Sequence, residues 1–286
     1  MIKFAFFGSS ELSAIVLDEL ERAGLAPSCI VSTPDKPQGR KMLITPTVVK
    51  DWGLKRNIKV YTPAKLDKIF IDSFKKENCE VSIVASYGKI IPETVISIPA
   101  KGTLNIHPSL LPQYRGASPL QSAILNDTKN TGVSIMLIDK EMDHGPILAQ
   151  EKITINEWPP YAEFEKIMAI KGAQLLAEIL PEWIEGKIKA KEQDHTLATF
   201  TKKMTKEDGL INLADDSYLN FRKIQAYSEW PQAYFLIEHG SKKIRVKITK
   251  ASYKDSVLII EKVIPEGGKE MTYEDFRRGY VTNNKN

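Results

Sequence analysis

Over its first two thirds the chain alternates short apolar runs with longer amphipathic stretches, and only a few folds accommodate that order. Residues 2–7 read as a buried strand and Gly8-Ser9-Ser10 as a turn; Leu12, Ile15, Val16 and Leu20 then share one face of a helix. Residues 29–32, 81–85 and 104–106 are further strand-like runs, with helical stretches between them. Strands joined by helices need right-handed crossovers, which build a mostly parallel sheet covered by helices. Residues 131–138 and 147–155 read as later strands connected through Asp143. A helix is expected over residues 161–185, where Phe164, Ile167, Met168, Leu175, Leu176 and Ile179 recur at helical spacing. The expected class is α/β.

Past Gly186 the pattern changes. The following segment is polar and lacks a sustained apolar period, so one domain is expected over residues 1–188, a linker over 189–204 and a second domain over 205–286. In the last, residues 235–237, 244–249 and 257–260 are short β-branched segments separated by Gly240, Asp255 and Gly267-Gly268, the spacing of a small barrel or sandwich. A length of 286 residues suits two domains. The net charge of +4 is too mild to mark a nucleic-acid binder. Residues 1–188 are balanced, however, so the whole excess lies beyond them and hints at a basic face on the second domain.

Two cysteines, Cys29 and Cys79, exclude a disulfide framework and a cysteine-rich zinc site. No apolar run approaches the roughly 18 residues that cross a bilayer. After Lys3 the run Phe4 to Phe7 is too short for a secretory signal, and Met1 leads straight into a strand. These features predict a soluble cytoplasmic protein with no membrane partner.

The opening strand, turn and helix carry only Gly8 where a dinucleotide fold has three spaced glycines, so a nicotinamide or flavin cofactor is not expected. The densest unusual stretch is Gly102 to Gly116. Asn105 and His107 stand two apart at the end of a predicted strand and so share one face. Ligands of open α/β sheets collect at such carboxyl ends. Pro108, Pro112 and Gly116 then make a rigid loop that packing alone does not require. Asp143 and His144 sit in a turn fixed by Gly145-Pro146; taken alone this is an ordinary polar hairpin loop, and only proximity of Asp143 to His107 would make it chemistry. His107, Asp143 and His144 are also ligand types, but no zinc spacing is present and no metal is expected.

Two basic features remain. Residues 33–46 form a long loop with three prolines and with Lys36, Arg40 and Lys41, long enough to suggest binding. Residues 244–249 alternate so that Ile244, Val246 and Ile248 turn in while Arg245 and Lys247 turn out. With Lys202, Lys203 and Lys206 upstream, these residues suit a phosphate track and edge protection about equally.

Asn105-Ile-His107-Pro-Ser-Leu-Leu-Pro112, Tyr114-Arg-Gly-Ala-Ser-Pro119 and Met142-Asp143-x-Gly145-Pro-Ile-Leu148 together resemble the signature of the formyltetrahydrofolate-dependent formyltransferases. Further matches at 34–40, 85–92, 201–211, Trp230-Pro231 and 268–276 extend the likeness along nearly the whole chain and point to the branch whose acceptor is methionyl-tRNA. The resemblance implies a Rossmann-like domain followed by an oligonucleotide-binding-type (OB-like) β-barrel. It implies 10-formyltetrahydrofolate as cosubstrate, initiator methionyl-tRNA as partner, and a monomer. It implies Asn105, His107 and Asp143 as catalytic residues, and a folate pocket at Tyr87, Gly88, Ile90, Ser109, Leu110, Leu111 and Pro112. Contacts to tRNA would come from Arg40, Lys41, Lys203, Lys206, Arg245 and Lys247. A formyltransferase for a small amine, such as an amino sugar nucleotide, would share the three catalytic groups; a folate- or RNA-binding protein without catalysis would not need all three.

Overall fold

The computed structural model describes residues 2–38, 42–239 and 242–281. Arg40 and Lys41 therefore lie outside the described residues. A seven-stranded sheet runs in the order Ile147–Thr154, Asn130–Leu137, Thr103–His107, Val81–Val84, Phe4–Phe7, Cys29–Val31, Lys59–Tyr61. The five strands from Thr103–His107 to Lys59–Tyr61 are parallel, and Asn130–Leu137 pairs antiparallel with Thr103–His107. The sheet is thus mostly parallel, as the alternation of runs requires.

Both faces are covered, which explains why the central strands read as continuous apolar runs rather than alternating ones. Phe4 and Phe6, with Ile30, Ile83, Leu104 and Ile106, pack against Val16, Leu17 and Leu20 of the helix Glu11–Arg22 and against Ala173, Leu176 and Leu180 of the helix Tyr161–Ile184. Their neighbours Ala5 and Phe7 turn to the other face and meet Phe70 and Phe74. The first helix begins where expected: Ser10 caps it and exchanges hydrogen bonds with Ser13 in a capping box. Gly172 lets the long helix approach the strand beneath the site, since a Cβ there would stand 2.4 Å from Cγ2 of Ile106. Among the described residues no helix is long and apolar enough to cross a membrane.

Contacts divide the chain into two units that are not contiguous in sequence. The first holds the residues up to Gly116, Thr131–Thr154 and Glu165–Phe200; the second holds Ala117–Asn130, Ile155–Phe164 and the residues from Thr201 onward. Three segments thus fall differently from a division at residues 188 and 204. Residues 189–200 run with the first unit because Lys191 and Ile147 exchange backbone hydrogen bonds of 2.8 Å. Residues 117–130 and 155–164 run with the second because the Asp127 carboxylate accepts hydrogen bonds from Trp158 Nε1 at 2.7 Å and from the Tyr218 hydroxyl at 2.8 Å.

In the second unit an antiparallel sheet runs Tyr234–His239, Lys242–Lys254, Val257–Pro265, Met271–Thr272. Phe235, Val246, Ile248 and Val263 of this sheet are buried, as is Phe276 of the helix Tyr273–Phe276, while Ile244 is only half-buried. Register shifts around Lys250 break the ladder inside the 13-residue strand, the device by which small β-domains bend a long strand.

Candidate active site

The strand Thr103–His107 lies between a parallel and an antiparallel neighbour, and its alternation puts Asn105 and His107 on one face at its carboxyl end. His107 is 3% exposed, whereas Asn105 is only half-buried. Among the described residues nothing hydrogen-bonds the Asn105 amide, so its donors are open to a ligand.

His107 Nε2 donates to the Tyr114 carbonyl at 3.0 Å; a carbonyl only accepts, so that nitrogen carries the proton. The other nitrogen, Nδ1, faces Asp143 Oδ1 at 3.6 Å. Asp143 is held from behind, because its Oδ2 accepts the Gly116 N–H at 2.7 Å. Its backbone is left-handed, φ 50°, a conformation that aspartate tolerates better than most residues. Gly145 completes the turn: a Cβ there would lie 2.1 Å from the Leu137 carbonyl oxygen. The sequence therefore places a turn at 139–146, and close backbone approach aims its carboxylate at the strand end.

The loop after His107 is pinned from several sides. Ser109 donates its hydroxyl to the Gln113 carbonyl at 2.6 Å, and Ser134 donates to the Ser109 carbonyl at 2.6 Å. The Leu111 N–H donates to the Ser134 hydroxyl, and Gln150 Nε2 donates to the Leu111 carbonyl at 2.9 Å. The Leu111–Pro112 peptide is cis. Ser109 and Leu111 are buried, while Leu110 and Pro112 are half-buried.

The other expected pocket residues diverge. Tyr87 is buried against Phe7, ring edge to ring face at 5.5 Å, and its hydroxyl has no partner among the described residues. Burial pushes the pKa of that hydroxyl up to about 12. Gly88 is exposed with φ 77°, and Ile90 is 89% exposed.

In the second unit Lys203 and Lys206 are exposed. Arg245 and Lys247 do lie on the outward face of their strand, but both are half-buried. The Arg245 guanidinium stacks over Tyr234, 3.4 Å from the ring centroid, and Lys247 stands directly across the ladder from that tyrosine. Tyr234 was not singled out from the sequence. Neither was Gln193, which acts through buried side-chain contacts that leave no local pattern; Tyr114 and Gly116 stand in the stretch the sequence marks out, but their main-chain roles do not show in it. Among the described residues no three or more His, Cys, Asp or Glu side chains gather as a metal would need.

A mostly parallel sheet of this order agrees with the comparisons to known proteins. The formyl transferase family pattern matches residues 2–180, and that of its C-terminal domain matches residues 203–256. The chain belongs to the formyl transferase family. Among its relatives, a methionyl-tRNA formyltransferase of Sulfurihydrogenibium sp. is 34% identical, the match covering 98% of this chain and 97% of the relative. A solved structure of methionyl-tRNA formyltransferase from Clostridium thermocellum superposes with a TM-score of 0.63 at 16% identity, covering 95% of this chain and all of that one. An N-formyltransferase from Helicobacter canadensis, solved with folinic acid and dTDP-3-aminofucose, gives 0.65 at 18% identity over 89% of each chain. At such identities these structures establish the shared fold.

Proposed function

We propose that this chain transfers the formyl group of 10-formyltetrahydrofolate, a cosubstrate consumed in each turnover, to the α-amine of methionine esterified to initiator tRNA. The observation that carries the reading is the placement of buried His107 against Asp143, next to the open amide of Asn105. The amine nitrogen attacks the formyl carbon, forming the new C–N bond and moving charge onto the formyl oxygen. Asn105 donates a hydrogen bond to that oxygen; a donor of this kind supplies about 3–4 kcal/mol of transition-state stabilisation. The proton leaving the amine passes to the Asp143–His107 pair. From there it reaches the folate nitrogen as the old C–N bond breaks, so the pair ends as it began.

Ser109, Leu110, Leu111 and Pro112 form the folate wall, with Gly88 and Ile90 at its rim and Tyr87 supporting it from the core. Arg245 and Lys247, together with Lys203, Lys206, Arg40 and Lys41, contact the tRNA. The stack of Arg245 on Tyr234 supports this, since it joins a cation to an aromatic face. The enzyme acts as a cytoplasmic monomer; its two free cysteines, Cys29 and Cys79, suit a reducing compartment.

An acceptor panel tests the reading. Charged initiator methionyl-tRNA, charged elongator methionyl-tRNA and an amino sugar nucleotide would each be offered with 10-formyltetrahydrofolate. Formylation confined to the initiator tRNA is expected. Formylation of the sugar alone would keep the three catalytic groups and overturn the acceptor.

A further inference from the structure

We propose that Gln193 is a positioning residue for Asp143, held in its working orientation by Arg115. The inference rests on the reading that Asp143 serves formyl transfer. Gln193 stands among exposed Lys191, Glu192 and Asp194 yet is itself buried. A buried amide in a polar stretch must have its hydrogen bonds satisfied. Its Oε1 accepts from Arg115 Nε at 3.2 Å and from Arg115 Nη2 at 2.7 Å. Its Nε2 donates to the carbonyls of Asp143 at 3.0 Å and Gly145 at 2.7 Å. Two lone pairs and two N–H groups are thus all used. The amide has one possible orientation, because a guanidinium only donates and a carbonyl only accepts.

The two carbonyls flank His144, so Gln193 clamps the turn on both sides of the residue that follows Asp143. The dipeptide Arg115-Gly116 consequently holds Asp143 twice: Gly116 N–H takes the carboxylate directly, and the Arg115 side chain fixes the backbone through Gln193. The contacts close into a ring. Arg115 Nη2 donates to His195 Nδ1 at 2.8 Å, and the His195 ring lies parallel on that of His144 with centroids 4.0 Å apart. His144 in turn bonds Asp139 through Nδ1 at 2.7 Å. Asp143 sits in a left-handed conformation. Without the clamp its turn has reason to relax, moving the carboxylate away from His107.

The test compares Gln193→Met, Gln193→Glu and Asp143→Asn in the full-length protein, reading kcat, both KM values, the pH–rate profile and the circular dichroism spectrum. Gln193→Glu keeps a partner for Arg115 but cannot donate to the two carbonyls when ionised. Both Gln193 variants should fold and lose about 10²-fold in kcat, the scale of a small misplacement, with KM values near wild type. Their pH–rate profiles should shift in the same direction as that of Asp143→Asn. Normal kcat in both, with Asp143→Asn impaired, would overturn the positioning role and leave the role of Asp143 standing. Normal kcat in all three would overturn the role of Asp143 as well. Losses that track raised KM or lost folded protein in both Gln193 variants would make Gln193 a structural residue only and also overturn the proposal.

Discussion

Asp143 uses its two carboxylate oxygens differently: Oδ1 faces Nδ1 of His107 at 3.6 Å, while Oδ2 accepts the Gly116 N–H at 2.7 Å. One oxygen is thereby fixed by backbone so that the other is aimed at the imidazole.

Removing either polar end of this arrangement should slow chemistry more than binding. Asn105→Ala is expected to lower kcat by about 10²–10³-fold, the range for losing one oxyanion donor. Asp143→Asn should also lower kcat, while folate affinity stays close to wild type in both. Steady-state kinetics beside equilibrium folate titration checks this; near-normal turnover in both variants contradicts the assignment.

The turn that carries Asp143 depends on Gly145. An alanine Cβ would press on the Leu137 carbonyl oxygen at 2.1 Å, and backbone cannot retreat as a side chain can. Gly145→Ala should destabilise the protein by about 1–3 kcal/mol, the usual cost of overpacking, and lower kcat as the turn shifts. Calorimetry with a parallel assay reads both effects; an unchanged melting midpoint contradicts the close approach.

Acid should weaken the second unit through Asp127. Burial pushes this carboxyl up, but the hydrogen bonds from Trp158 and Tyr218, with the charges of Arg222 and Lys129, outweigh it and hold the group below the usual 3.8. A group lowered on folding contributes stability that is present above its unfolded value and lost as pH falls through the folded one. Asp127→Asn, tolerated at φ 54°, should therefore cost about 1–2 kcal/mol near pH 7. The difference from wild type should shrink below about pH 4, the ordinary carboxylate range. Denaturant titrations at several pH values decide; a difference that stays constant on acidification contradicts the assignment.

If the outward face of the strand Lys242–Lys254 tracks phosphates, replacing Arg245 and Lys247 together by alanine should weaken tRNA binding. It should also reduce the slope of log affinity against log salt by about 2, one for each phosphate contact. An unchanged slope would return the Arg245–Tyr234 stack to surface packing.

The parallel sheet was legible because strands buried on both faces leave apolar runs, unbroken in residues 4–7 and interrupted only by Ser82 in residues 81–84. Asn105 and His107 were legible because a period of two fixes their common face. Asp143 looked like any hairpin aspartate until the family signature linked it to His107, since that pairing spans 36 residues of sequence and leaves no local trace. Tyr87 lies in a stretch that resembles a folate pocket, yet its ring faces the core beside Phe7. The segments 117–130 and 155–164 group with the second unit through contacts that are long-range in sequence, Asp127 to Trp158 and Tyr218, and so leave no local pattern. Gln193 was invisible for the same reason: all four of its hydrogen bonds reach back across more than 40 residues.

The most direct measurement follows a labelled formyl group from 10-formyltetrahydrofolate onto charged initiator methionyl-tRNA in a single turnover, with wild type and Asp143→Asn run together. The account predicts labelled N-formylmethionine after deacylation with wild type, and slow transfer with the variant under conditions where both bind folate. Absence of label on methionine with folate-saturated wild type, or equal rates in the two proteins, would contradict it.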